Sequence, residues 1–426
     1  MYCRMIRGIY LRANGEMACY CGPGEEVVLG QIPVDHTNYD FIEDFYKNDK
    51  HNYIRECMAK DILPYPNVCL KCIYLQSGLP SQIELLESEI EWMHIEASSN
   101  CNLNCPFCIP IEQRNTYRKK PHNLPYHLFE KVINDVASHG MKVKWMYFSG
   151  RGEASLNKDI WKMVKLAKDR LHTNFLVNTN GNLAYSDEIV LSGVDKIKIA
   201  IDGHDQETYA KYRRNGSLEK VTSFTSSLAG AKKRLGKSNP KIIWQYVLFN
   251  YNDDVASLRR FQEMAIDLGV DQVLFKTTFT EYYSTIDLDA IPTIHPNLDL
   301  LDGRAVVGVL LENIDNKFSI LRNYRKTGEW HKLIPLGLEI AKNISMSFVL
   351  GVRKKQEYNK CGGSEDIDLM IEMANDRNDS VMPLMHSLKN TYGLLAEAYD
   401  SISEKQASQY YGKCEDKLQK FIFQRE

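Results

Sequence analysis

The chain has 426 residues, 44% of them hydrophobic, with 53 Lys and Arg balanced against 55 Asp and Glu. That length accommodates two or three domains with substantial cores, and a net charge of −2 gives no global attraction to nucleic acid or an anionic membrane. No apolar run is long enough to span a bilayer and the N-terminus lacks a secretory pattern, so a cytoplasmic protein without membrane or nucleic-acid partners is expected.

Eleven cysteines in a reducing compartment point to metal ligation rather than to disulfides, and nine of them precede residue 110. Residues 1–85 are rich in cysteine and turns, with helical periodicity only from Tyr39 to Lys60, and read as a small domain of their own. Cys3, Cys19, Cys21, Cys69 and Cys72 are candidate ligands of a metal centre there, with Cys57 as a spare. Cys-x2-Cys spacing serves zinc and iron-sulfur equally, and scattered core thiols are the plain alternative.

From Glu91 onward, β-rich runs alternate with amphipathic stretches. Strands are expected over 91–97, 142–149, 174–179, 196–201, 242–249 and 272–276, with helices over 126–138, 158–170, 218–235 and 254–268. Repeated βα units of this kind predict an α/β fold, a partial (β/α)6 TIM-like barrel over residues 88–280. A connection over 287–299 then leads into a mostly helical region, 281–426, with helices expected over 366–374 and 389–402. Cys361 and Cys414 read most simply as core cysteines.

The most specific signal is Asn100-Cys101-Asn102-Leu103-Asn104-Cys105-Pro106-Phe107-Cys108. Its spacing lets one loop hold three corners of a cubane iron-sulfur cluster and leaves the fourth iron without a protein ligand, able to bind a substrate or cofactor. The loop follows the strand expected at 91–97, at the end of a parallel barrel where active sites are built. Tetrahedral zinc with a distant fourth ligand, or unliganded thiols, would use the same residues.

The segment resembles the Cys-x3-Cys-x-aromatic-Cys signature of the radical S-adenosylmethionine (radical SAM) superfamily, carried by Cys101, Cys105, Phe107 and Cys108, and the resemblance extends from about Glu91 to Thr278. It implies a [4Fe-4S] cluster on the three cysteines and S-adenosylmethionine on the open iron. Gly152 and Glu153, with Gly150 before them, are similar to the family's Gly-Gly-Glu motif, where the carboxylate would meet the cofactor's ammonium group. Arg151 interrupts the glycines and Ala154 stands where proline is frequent. Thr179-Asn180-Gly181 matches a strand end at which Asn180 would contact ribose or carboxylate. The run ending Asp202-Gly203 has Ala200 in place of serine. Tyr209, Tyr212, Arg213 and Gly216 are similar to a segment of enzymes with auxiliary clusters, which makes Arg213 the expected clamp on the methionyl carboxylate, and Asn250 is a further candidate contact to the cofactor.

The run from Ile9 to Cys19 resembles the hairpin that opens a SPASM or twitch auxiliary-cluster domain, here preceding the barrel instead of following it. Together these likenesses imply a radical enzyme with a second cluster, an electron donor such as flavodoxin or ferredoxin, and a peptide, amino acid derivative or carbohydrate as substrate. A noncatalytic metal-binding or electron-transfer scaffold is the alternative. No residue is assigned a catalytic proton-transfer role.

Overall fold

A computed structural model describes residues 2–19, 27–35, 37–60, 62–69, 75–76, 88–108, 122–276, 284, 299–303, 321, 323–338, 340–341, 382–402 and 404–423. Twelve strands occur among them. A short antiparallel pair joins β1 (Tyr2–Cys3) to β5 (Leu75–Gln76). The other ten form one sheet in the order β12-β11-β10-β9-β8-β7-β6-β2-β3-β4. These are β2 (Gly8–Leu11), β3 (Glu16–Ala18), β4 (Val28–Gln31), β6 (Glu89–Ile95), β7 (Lys142–Phe148), β8 (Asn174–Thr179), β9 (Lys196–Ala200), β10 (Lys241–Val247), β11 (Gln272–Lys276) and β12 (Asp299–Gly303). Every pairing in the run from β12 across to β2 is parallel, and only β3 and β4 join antiparallel, at one edge.

The six expected strands are present, and two more extend the parallel set. β2 lies in register with β6, pairing Gly8 with Trp92 and Leu11 with Ile95. The segment read as a separate N-terminal unit thus contributes strands directly to the main sheet. All four residues of β2 are buried, so the strand shows no polar-apolar alternation by which to recognise it. β12 falls just after the connection expected to lead into helices, and Asp299 pairs with Gln272. Its sequence, Asp-Leu-Leu-Asp-Gly, lacks the β-branched and aromatic residues that mark strands.

Helices cover the outer face. α1 (Asp49–Ala59) belongs to the N-terminal part, and α2 (Tyr126–Ser138), α3 (Ile160–Leu171), α4 (Gln206–Tyr212), α5 (Leu218–Arg234) and α6 (Val255–Asp267) connect the strands. Side-chain caps start several of them: Asp205 accepts from Thr208 N, Ser217 from Lys220 N and Asp254 from Ser257 N. The helical stretch expected over 39–60 is broken. A π-helical turn, Ile42–Tyr46, ends before Asn48, whose extended backbone and side chain cap α1 by accepting from His51 N.

In the C-terminal region α7 (Met382–Ser401) and α8 (Lys405–Phe423) pack through tyrosines, the Tyr411 ring lying 5.7 Å from that of Tyr392 and 5.6 Å from that of Tyr399. The helix expected over 389–402 is the later part of α7. The one expected over 366–374, like Cys361, lies outside the described residues.

Burial alternates along the central strands and defines the site. In β8 and β9, Phe175, Val177, Ile197 and Ile199 are fully buried, while Leu176, Asn178, Lys198 and Ala200 between them are only partly so. Successive side chains point to opposite faces of a strand. The fully buried set belongs to the hydrophobic core with the helices. The other set faces an open lumen.

Candidate functional site

The lumen holds a cavity of about 500 Å³. Cys101, Cys105 and Cys108 line it together with Gly150, Gly152, Glu153, Asn180 and Arg213, so eight residues singled out in the sequence share one space. The loop carrying the cysteines follows β6, and the two asparagines between the first and second cysteine anchor it. Asn102 Nδ2 donates to Asn182 O at 2.9 Å, and Asn104 N donates to Arg214 O at 3.1 Å. Donors also address the sulfurs: Leu103 N is 3.4 Å and Asn180 Nδ2 3.8 Å from Cys101 Sγ, and Arg213 Nη1 is 3.8 Å from Cys105 Sγ. N–H groups aimed at sulfur favour the thiolate form that binds iron. For the free thiol of Cys105, burial leads in pushing the pKa up, with Cys108, Asp202 and Cys101 adding to it against the pull of Arg213.

The loop after β7 packs tightly on the start of the cysteine loop. A Cβ at Gly152 would stand 2.2 Å from Ser98 O, 2.5 Å from Asn100 O and 2.6 Å from the Ser99 carbonyl carbon. Glu153 N donates to Asn100 O at 2.6 Å. Beside it, the buried Glu96 accepts from Arg151 N at 2.9 Å through Oε2 and from Ala13 N at 3.4 Å through Oε1, tying the N-terminal hairpin to the same loop.

Glu153 is 4% exposed, and its oxygens accept backbone N–H groups, Asn180 at 2.7 Å and Ser155 at 3.2 Å. Burial raises its pKa in spite of these bonds. The side chains of Thr179 and Ser155 hydrogen-bond the carboxylate as well, and through Asn180 N it fixes the turn at Asn180-Gly181. Gly181 adopts φ +69°, the left-handed region that favours glycine.

Arg213 lies in the cavity wall over the Tyr212 ring, 5.0 Å from its centroid, and its Nε donates to Asp202 Oδ2 at 2.5 Å. Burial opposes its charge, yet Asp202 and then Cys105 raise its pKa overall, so the guanidinium stays protonated. Part of the expected carboxylate clamp is therefore already engaged by Asp202. Phe107 lies off the cavity lining, 36% exposed and stacked on Tyr212 at 6.1 Å.

Asn250 is exposed and does not line the cavity, because β10 ends at Val247 and residue 250 falls in the following turn. Two residues on, Asn252 is 0% exposed. It accepts from Phe249 N at 2.6 Å and donates to Asp202 O and Val247 O at 3.0 Å each. It thereby holds the strand end that presents Asp202 to Arg213. The second asparagine of Asn250-Tyr251-Asn252 was the available signal, and only the position of the turn separates the two.

Of the N-terminal cysteines, Cys3, Cys19, Cys57 and Cys69 are buried, whereas Cys21 and Cys72 lie outside the described residues. Cys3 lines the same cavity as the three-cysteine loop. Cys19, Cys69 and Cys57 all act electrostatically on the Tyr65 phenol, after burial, which places the three around one side chain. Among the described residues no group of three or more His, Cys, Asp or Glu closes on a single metal ion.

Sequence reasoning passed over much of the lumen. His94, hydrogen-bonded to Ser149, Tyr147, Asn178, Gln245, Lys198 and Lys276 all line it. Each sits on the polar-looking side of its strand, which resembles a solvent-facing side until the sheet curls round.

Residues 95–234 match the family model described as Radical SAM superfamily. The central part of the chain is therefore a radical SAM superfamily domain, and that superfamily uses a [4Fe-4S] cluster and S-adenosylmethionine. The residues present fit these cofactors: three cysteines open on one cavity, N–H donors face two of the sulfurs, and glycine leaves the backbone of a neighbouring loop bare. The chain is 24% identical over 192 residues to the tungsten-containing aldehyde ferredoxin oxidoreductase cofactor-modifying protein of Pyrococcus furiosus, covering 43% of this chain and 51% of that one. It is 26% identical over 194 residues to a GTP 3′,8-cyclase of Alkaliphilus oremlandii, covering 44% and 56%. The chain thus spans about half the length of these curated relatives. Among solved structures, Streptococcus suis SuiB aligns with a TM-score of 0.38 at 15% identity, covering 72% of this chain and 73% of that one. Native anSMEcpe with bound AdoMet aligns with a TM-score of 0.34 at 15% identity, covering 56% and 62%.

Proposed function

We propose that the protein is a radical SAM enzyme that abstracts hydrogen from a substrate held in the lumen and so oxidises or rearranges it. When bound, the cluster and S-adenosylmethionine supply a 5′-deoxyadenosyl radical by reductive cleavage of the sulfonium. The observation that carries the reading is the convergence of Cys101, Cys105, Cys108, Gly152, Glu153, Asn180 and Arg213 on one cavity at the carboxyl end of a parallel sheet.

The chain's own residues supply placement. Cys101, Cys105 and Cys108 hold the cluster. Gly152 clears the backbone edge, and Glu153 and Asn180 offer acceptor and donor groups to the aminoacyl and ribose parts of the cofactor. Arg213, braced by Asp202, orients its carboxylate through the guanidinium edge that Asp202 leaves free. The walls of the lumen limit water where a reactive radical must meet one C–H bond.

A second, auxiliary iron-sulfur cluster belongs to the same reading, on four of Cys3, Cys19, Cys21, Cys69 and Cys72. Its support is that Cys3 reaches the cavity and that Cys19 and Cys69 gather near Tyr65. The electron would come from a small carrier such as flavodoxin or ferredoxin. The substrate range is a peptide, amino acid derivative or carbohydrate, to which likeness to a GTP 3′,8-cyclase adds a nucleotide. The reading assigns the reaction to the cytoplasm. No helix of the described residues is long and apolar enough to cross a membrane.

The test is anaerobic reconstitution followed by dithionite and S-adenosylmethionine. 5′-Deoxyadenosine should form, and Cys105→Ala should abolish it. A fully loaded, reduced protein that forms none, with or without an extract containing small metabolites, would leave the scaffold alternative standing.

A further inference from the structure

Away from the cysteine loop, the lumen contains two cations that have no acceptor among the described residues. Lys198 on β9 and Lys276 at the end of β11 both line the cavity. They flank β10, with Lys198 level with Ile243 and Lys276 level with Val247. Positions 243, 245 and 247 share one strand face, and Gln245 lines the cavity between the two levels. Among the described residues neither lysine makes a hydrogen bond or ion pair, in contrast to their neighbours. Lys196 lies over the Trp145 ring at 5.2 Å, Lys168 pairs with Asp195 at 2.7 Å, and Lys232 pairs with Asp271 at 2.7 Å.

The carboxylate that Lys276 does feel, Asp202, is 0% exposed and already accepts from Arg213 Nε and Val247 N. Lys198 is partly buried and Lys276 exposed, and the two like charges open on one cavity without a free counter-charge among the described residues. Burial, and then the charge of Lys276, pushes Lys198 down to about 8. Partial desolvation lowers the exposed Lys276 as well, against the pull of Asp202.

We propose that Lys198 and Lys276 form the anion-binding end of the substrate cavity, so that the molecule acted on carries a phosphate or carboxylate seated between the two ammonium groups. The inference rests on the radical SAM reading for the word substrate. The anion site itself stands on the lysines alone. Gln245, between the two levels, adds a neutral donor to the same group. An anion there supplies a counter-charge that the described residues do not, and lysines suit it as point charges without demanding planar geometry.

The experiment is lysine footprinting of the anaerobically reconstituted protein. An activated acetyl ester labels lysines while sodium phosphate, or separately sodium acetate, replaces chloride at constant ionic strength, and label is read residue by residue by mass spectrometry. Labelling of Lys198 and Lys276 should slow by about fivefold at an anion concentration near four times its dissociation constant. Lys162, whose side chain is 71% exposed, serves as the unaffected control. Protection by phosphate alone assigns a phosphate-bearing substrate, by acetate alone a carboxylate-bearing one, and by both a site for either anion. In Lys198→Met the protection of Lys276 should fall sharply, and the variant should fold at least as stably as the wild type because no partner among the described residues is left behind.

If neither anion protects either lysine in the wild type, or Lys276 is protected equally in Lys198→Met, the paired site is overturned. 5′-Deoxyadenosine measured on the same preparation separates the two readings. Its formation without anion protection sinks this inference alone, and protection without it sinks the radical reading while the anion site remains.

Discussion

Replacing Gly152 with alanine is the most direct mechanical challenge to the cavity. The added carbon would lie 2.2 and 2.5 Å from two backbone carbonyl oxygens and 2.6 Å from a carbonyl carbon, all within Ser98–Asn100. Ordinary contact requires about 1 Å more at the closest of these. Backbone rather than a flexible side-chain end must give way, and it is the backbone immediately before Cys101. Gly152 has no left-handed φ, so the glycine is needed for room and not for conformation.

Overpacking of this kind costs about 1–3 kcal/mol. Displacement of the cysteine loop should also lower iron and sulfide content. Chemical denaturation of anaerobic protein, followed by fluorescence, gives the first quantity, and elemental analysis gives the second. Gly230→Ala is the matched control: Gly230 lies within α5, and among the described residues nothing outside its own stretch of helix backbone comes within 4 Å of an added carbon, so it should gain about 0.5–1 kcal/mol. A Gly152→Ala protein with wild-type midpoint and wild-type iron would refute the claim that this loop and the cysteine loop are packed as one unit.

Asn252→Ala should cost about 1–3 kcal/mol, because it strips partners from buried groups of Phe249, Asp202 and Val247; Asn250→Ala, at an exposed turn, should stay within about 0.5 kcal/mol by the same denaturation assay. Arg213→Lys keeps the charge but loses the fork shared between Asp202 and Cys105, so affinity for S-adenosylmethionine, measured by equilibrium dialysis, should fall by about tenfold or more. His51 is 0% exposed, and burial, with Arg55 adding, lowers its pKa from 6.5 to about 3. The unfolded chain therefore binds more protons between those values. The contribution of His51 is complete above pH 6.5 and is lost as pH falls toward 3, at up to about 1.4 kcal/mol per unit. His51→Gln should flatten that part of a stability–pH curve, and an unchanged slope would contradict the assignment.

The barrel strands were legible because Lys196-Ile197-Lys198-Ile199-Ala200 and its neighbours alternate, and alternation survives whatever the polar side faces. What that side faces was not legible. In a flat sheet Lys198 would be a solvated lysine; here residues from β6 through β11 line one cavity, so the sheet curls and turns it inward, which the sequence of a single strand does not record. The cysteine loop needed no such context, since its ligands sit within eight residues of one another. Cys3 did: its place on the cavity follows from pairings more than seventy residues apart, with Leu75 and, through β2, with β6. Glu96, which joins Ala13 to Arg151, is likewise silent in the sequence because both partners are backbone amides.

The central claim is that one iron of a three-cysteine cluster on Cys101, Cys105 and Cys108 stays open to S-adenosylmethionine. Electron paramagnetic resonance of the reduced protein, recorded as S-adenosylmethionine is added to a preparation whose N-terminal cysteines Cys3 and Cys69 are replaced by alanine, tests it directly. The account predicts a cubane signal that shifts in g-value and saturates with added cofactor. A signal that is absent, or one that remains unchanged through the titration, would contradict it.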